Sequence, residues 1–141
     1  MILIINGPNI NMLGKRNVNI YGSMTYSEMC KKIEDYAASQ NQKIIIFQSN
    51  SEGEIISRIQ CNDYDSIIIN AGAYSHYSYA IRDALEIFDG IKIEVHISNI
   101  FSRDEFRKTS VISPVCTGVI SGLGTESYLT ALNYIKIKED L

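Results

Sequence analysis

The stretch Ile67-Ile68-Ile69-Asn70-Ala71-Gly72-Ala73, continuing to Leu85, decides the fold. Three β-branched residues in a row, with no polar alternation, describe a strand covered on both faces. A small, polar turn follows. Tyr77, Ala80, Ile81, Ala84, Leu85 and Phe88 then recur at helical spacing and mark a helix with one apolar face. Strand, turn and helix in that order form half of a parallel crossover.

The same grammar repeats in both directions. Apolar, β-rich runs occur at Ile2–Ile5, Ile44–Phe47, Ile91–Ile97 and Val115–Ile120. The first, second and fifth runs, like Ile67–Ile69, are nearly continuous and should be covered on both faces. The fourth alternates, with Ile91, Ile93, Val95 and Ile97 set against Lys92, Glu94 and His96. It is either an edge strand or a strand that opens onto a cleft. Thr25 with Glu28, and Ser51 with Glu54, give capping-box signals ahead of helical stripes at Tyr26–Ala37 and Ile55–Ile59. A last stripe (Tyr128, Leu129, Leu132, Ile135) ends near Lys136, and the polar stretch Arg103–Ser110 reads as a short helix. This alternation predicts an α/β protein with a five-stranded parallel sheet flanked by helices.

Composition narrows the function. With 141 residues the chain suits one domain, spanning 1–141, of a size that forms a core without staples. A net charge of −3 argues against nucleic acid and against an anionic membrane surface. No apolar run approaches a membrane span, and Met1–Ile5 meets Asn6-Gly7-Pro8 too soon for a signal peptide. Three cysteines, Cys30, Cys61 and Cys116, stand far apart, which predicts reduced, buried thiols in a cytoplasmic protein and no zinc site.

The chemistry gathers at one edge. The strand-like runs start at residues 2, 44, 67, 91 and 115, so one connection is much longer than the rest. The excess lies between Gly7 and Met24 and predicts an active-site lid around residues 14–24. In a parallel sheet this loop leaves the carboxyl edge, where open α/β folds place their ligands. Asn70-Ala71-Gly72-Ala73 and His96-Ile97-Ser98-Asn99 leave from the same edge.

Gly7–Arg16 is not a phosphate loop: its two glycines are spaced too widely, and Arg16 replaces the magnesium-holding hydroxyl. Gly122 and Gly124 lack the dinucleotide spacing and instead turn the chain into the last helix. No metal-ligand cluster or nucleotide fingerprint is present. The only two histidines, His76 and His96, both fall on the functional edge, and Glu94 shares a strand face with His96. A cation such as Arg16 can lower the pKa of a nearby phenol such as Tyr21 enough to make it a base. Asn9, Asn70 and Ser98 offer neutral hydrogen bonds. His76 and Asp83, seven residues apart, are expected on one side of the third helix. Arg107 is either a ligand for an oxygen-rich substrate or a surface residue in a mixed-charge run.

Four ordered blocks carry a more specific likeness. INGPNINMLG…R…YG (residues 5–22), INAGAYSHYSYAIRDAL (69–85), EVHISNI…R..FR..S (94–110) and SPVCTGVISGLG (113–124) resemble the type II 3-dehydroquinate dehydratases along essentially the whole chain. The resemblance implies a flavodoxin-like, three-layer sandwich. It also implies cofactor-free anti elimination of water from 3-dehydroquinate, through an enolate, to 3-dehydroshikimate. On that likeness Tyr21 removes the proton, Arg16 keeps the phenol ionised, and Asn9 holds a water at the enolate oxygen. His96 protonates the departing hydroxyl, with Glu94 as its carboxylate partner. Asn70, His76 and Arg107 grip ring hydroxyls, and the backbone N–H groups of Ile97 and Ser98 take the substrate carboxylate. Asp83 reaches a neighbouring subunit's site in trimers that build a homododecamer.

Two departures stand out. Asn17-Val18 replaces an acidic residue and proline, which should leave the lid less pre-organised. Phe101 stands where the family often has histidine. The alternative from another class is a non-catalytic, flavodoxin-like module that binds a small polar ligand. An activated phenol in an extended loop argues against it.

Overall fold

The computed structural model describes all of residues 1–141. Five parallel strands form one sheet: β1 (Ile2–Asn6), β2 (Ile44–Gln48), β3 (Ser66–Asn70), β4 (Ile91–His96) and β5 (Gly118–Ser121), in the order β2-β1-β3-β4-β5. Helices α2 (Tyr26–Ser39) and α5 (Glu126–Glu139) cover one face; α3 (Glu52–Ile59) and α4 (Tyr79–Ile87) cover the other. A single helical turn, α1 (Val18–Tyr21), lies within the long first connection. This is the five-stranded parallel α/β sheet that the alternation predicts, in the three-layer, flavodoxin-like form that the resemblance implies.

Sequence pattern maps onto layers. Every residue of β1 and β3 is buried, which explains their unbroken apolar runs. Ile2, Ile4 and Ile68 meet Met29, Ile33 and Leu132 on one side, while Leu3, Ile5, Ile67 and Ile69 meet Ile55, Ile81 and Leu85 on the other. Each such side chain, fully withdrawn from water, contributes about 2 kcal/mol. Thr25 and Glu28 close both arms of the capping box at the start of α2. Ser51 caps α3 through the Glu54 N–H at 3.2 Å, but the Glu54 carboxylate turns to the Ser49 hydroxyl instead of closing the box.

Several expectations need correction. β4 is an interior strand, and β2 and β5 are the edges, only partly buried. The alternation of β4 therefore reflects a cleft: Ile93, Val95 and Ile97 face the α2/α5 core, while Glu94 and His96 face the other side. Residues 113–115 form a 3₁₀ turn, opened by Pro114, so β5 begins at Gly118 and not at Val115. Within Arg103–Ser110 only Glu105–Lys108 winds, as a 3₁₀ turn, because polar residues leave no apolar face to bury. Helix α4 starts at Tyr79 behind a Ser78 cap, and His76 sits in a preceding 3₁₀ turn (Gly72–His76), so His76 and Asp83 do not share a helix. Helix α5 runs beyond Lys136 to Glu139. The three thiols are free but not buried as expected: Cys61 is exposed, and Cys30 and Cys116 are half-buried.

After β1 the chain goes to one side of the sheet, and after β2 it crosses to the other. The switch point between β1 and β3 opens a crevice at their carboxyl ends. Two glycines seal its floor. A Cβ on Gly7 would lie 2.4 Å from the Ala71 carbonyl oxygen, and one on Gly72 would lie 2.9 Å from that of Pro8. Gly72 also has φ +60°, which a side chain disfavours.

Candidate active site

Asn9, Arg16, Tyr21, Asn70, His76, His96, Ile97, Ser98 and Arg107 line one pocket at the crevice. Of the residues singled out from sequence, only Glu94 and Asp83 lie off its wall. Glu94 is fully buried behind His96. Asp83 is exposed on α4, away from the pocket.

The long connection supplies one side. Asn9 adopts a left-handed backbone (φ 69°), which asparagine tolerates, and its N–H donates to Asn50 Oδ1 at 3.1 Å. Further along, Asn17 caps the turn α1 by accepting from the Asn19 N–H at 3.1 Å, and the turn carries Tyr21 inward. Arg16 donates to the Tyr21 hydroxyl at 2.9 Å. Arg103, from the loop after β4, lies over the same ring with its guanidinium carbon 5.0 Å from the centroid, and donates to Ser98 Oγ at 3.3 Å. Tyr21 and Arg103 also border an outer cleft of ≈ 680 Å³ that adjoins the pocket.

The opposite side comes from β4. His96 Nε2 bonds a Glu94 carboxylate oxygen, and the other oxygen of Glu94 accepts from Ser110 Oγ at 3.0 Å and from Ser113 Oγ. A fully buried carboxylate with this many partners is held in place and orients the imidazole. The ring of His76 stacks near that of His96, with centroids 6.3 Å apart, and His76 Nδ1 contacts the Thr109 carbonyl at 2.8 Å. Burial, helped by the nearby His96 and Arg107, pulls the His76 imidazole below its usual 6.5 against that carbonyl. Arg107 lines the pocket, and its buried Nε makes no hydrogen bond and lies 3.5 Å from an Asp104 carboxylate oxygen in a loose ion pair.

The turn after β4 is held by its carbonyls. His96 O accepts from the Gly122 N–H at 3.1 Å and from Ser127 Oγ at 3.2 Å. Ile97 O accepts from the Gly124 N–H at 3.0 Å, and Ser98 O from Ser121 Oγ at 3.1 Å. The N–H groups of Ile97 and Ser98 have no backbone acceptor. They are a ready donor pair for an anion.

Sequence reasoning missed three groups. Arg103 was hidden in a mixed-charge run, although it stands four residues before Arg107. Ser110 and Ser113 looked like ordinary turn residues. Phe101, where the resembled family often has histidine, is exposed and outside the pocket. His, Cys, Asp and Glu nowhere gather in a group of three that could hold a metal ion.

A parallel α/β sandwich that seats a guanidinium-bound phenol and a carboxylate-bound imidazole in one switch-point pocket belongs to the acid–base enzymes. The family model described as Dehydroquinase class II matches residues 1–136, and the chain belongs to this family. It is 56% identical over 137 residues to the 3-dehydroquinate dehydratase of Thermotoga petrophila, covering 97% of this chain and 95% of that one. Among solved structures it is similar to the type II dehydroquinase from Butyrivibrio crossotus, with a TM-score of 0.93, 51% identity and 95% of each chain covered. The type II dehydroquinase from Propionibacterium acnes gives the same TM-score at 39% identity, covering 96% of this chain and 95% of that one.

Proposed function

We propose that Tyr21 is the base and His96 the acid of an anti elimination that proceeds through an enolate. Membership of the family makes the chain a lyase that converts 3-dehydroquinate into 3-dehydroshikimate, a step of the shikimate pathway. The Arg16–Tyr21 hydrogen bond carries the assignment. A proton next to a ketone is weakly acidic, so its removal needs a strong base and a site that stabilises the enolate oxygen. A phenol beside a guanidinium supplies the first, and a water held by Asn9 supplies the second. Hydroxide leaves poorly, and an imidazole backed by Glu94 can deliver the proton it needs. Asn70, His76 and Arg107 hold the ring hydroxyls, and the Ile97 and Ser98 N–H groups take the carboxylate. These residues suffice without metal or organic cofactor.

The finer features belong to the same proposal. The loop around residues 14–24 acts as a lid on a single catalytic domain. The exposed carboxylate of Asp83 completes a neighbouring site in a homododecamer built from trimers. Three free, separated cysteines favour a cytoplasmic location.

Mixing folded protein with 3-dehydroquinate should raise ultraviolet absorbance as the conjugated enone carboxylate forms. A flat trace from folded protein rejects the reaction. Light scattering near the monomer mass of 15.9 kDa would reject the assembly.

A further inference from the structure

Asn6 and Asn70 end adjacent parallel strands and are partners in the β1–β3 register, so their amides project side by side. Helix α5 places the hydroxyl of Tyr128 between them, in a side chain with no exposed surface. Tyr128 donates to Asn6 Oδ1 at 2.6 Å and accepts from Asn70 Nδ2 at 3.1 Å. Asn6 Nδ2 in turn reaches the Tyr26 hydroxyl at 3.4 Å. At its other end, Asn70 Oδ1 accepts from the Gly72 N–H at 3.2 Å.

We propose that Tyr128 is a positioning residue for substrate: its hydroxyl, committed to Asn6, fixes the orientation of the Asn70 amide in the pocket. The inference rests on Asn70 being a substrate contact. A phenol has one hydrogen. With that hydrogen given to Asn6, the oxygen facing Asn70 can only accept. A flipped Asn70 would set its oxygen against an oxygen with no hydrogen left, and its NH₂ against the Gly72 N–H. Only one orientation satisfies both ends, and a buried polar group left unsatisfied is costly. The remaining Asn70 N–H and lone pair then form a fixed donor–acceptor pair suited to a ring hydroxyl. Burial also pushes the Tyr128 proton affinity up, so the phenol stays protonated and the chain of bonds keeps its direction. For packing alone a phenylalanine would do, because the surroundings of Tyr128 are otherwise the apolar α2/α5 core.

The test is a double-mutant cycle, read by the enone assay. Asn70→Ala should raise KM about tenfold or more, and Tyr128→Phe about five- to tenfold, each leaving kcat within about twofold. In the Asn70→Ala background, Tyr128→Phe should move KM no further. Thermal denaturation separates a structural role, which would lower the midpoint in both backgrounds and leave KM alone. An unchanged KM for Tyr128→Phe, or effects that simply add, overturns the proposal while leaving Asn70 as a contact. An unchanged KM for Asn70→Ala removes the contact itself, and this proposal with it. Should Tyr128→Phe not fold, Asn6→Ala frees the same hydrogen and must show the same KM rise and the same non-additivity.

Discussion

Arg16 engages Tyr21 twice: it donates to the hydroxyl at 2.9 Å, and its guanidinium carbon lies 3.8 Å from the centre of the ring. A cation so placed stabilises negative charge on the oxygen, and the contact fixes the ring. Tyr21→Phe keeps the stacking and loses the oxygen. We expect kcat to fall by roughly 10³-fold, within the range of acid–base catalysis. The dissociation constant of a non-reacting substrate analogue, measured by calorimetry, should change little. Arg103→Ala should cost less in kcat than Arg16→Ala, since only Arg16 bonds the hydroxyl. Normal turnover by Tyr21→Phe would place the base elsewhere.

Glu94 makes its contribution from behind the pocket. Glu94→Gln preserves size but removes the charge opposite the imidazole and replaces one of the two accepting oxygens with an NH₂ donor. With His96 as the acid, kcat should drop by about 10²-fold or more, with KM nearly constant. Stopped-flow traces showing wild-type turnover would remove the carboxylate from the mechanism.

The loop around residues 14–24 can be stiffened at one position. Val18 begins α1, its N–H has no acceptor, and the preceding Asn17 has the extended backbone (φ −60°, ψ 104°) that proline requires before it. Val18→Pro therefore loses no hydrogen bond and restricts the unfolded chain, a gain of about 0.4–1 kcal/mol. Urea denaturation should show the increase, and a lower midpoint would mean that the turn is strained by the ring.

His76 ties stability to pH. Its folded-state pKa lies below the unfolded 6.5, so the unfolded chain binds more protons between those two values. The contribution is fully present above pH 6.5 and is lost as pH falls through the folded value. His76→Gln should flatten the acid limb of the stability profile below pH 6.5, measured by urea titration at several pH values. An unchanged slope would show that the imidazole titrates normally.

Most of the architecture could be read because burial leaves a compositional trace. β1 and β3 are covered twice and therefore unbroken in apolar residues, and the alternation of β4 exposed the His96/Glu94 face directly. Position within the sheet left no such trace: β2 is as apolar as the central β1, and the alternation of β4 fitted an edge strand as well as the cleft it lines. Tyr128 was invisible for a related reason. In a helical stripe a tyrosine counts as one more apolar residue, and only three dimensions bring its hydroxyl between two asparagines. The tethered carbonyls after β4 are main-chain events with no residue signature. Arg103 lost its meaning among four neighbouring charges of both signs, because charge alone does not say which side chain turns inward.

The donor pair at Ile97 and Ser98 is aimed by tethers on the carbonyl side of the same peptides, from Gly122 N–H and Ser127 Oγ to His96 O and from Gly124 N–H to Ile97 O. Any residue except proline brings the same N–H, so replacement at either position leaves the receptor standing. Its vulnerable point is the one side-chain anchor, Ser127. An inhibitor that draws its affinity from this pair would therefore meet a feature that local mutation is poorly equipped to erase, and resistance would have to arise at that distant serine or in the loop above.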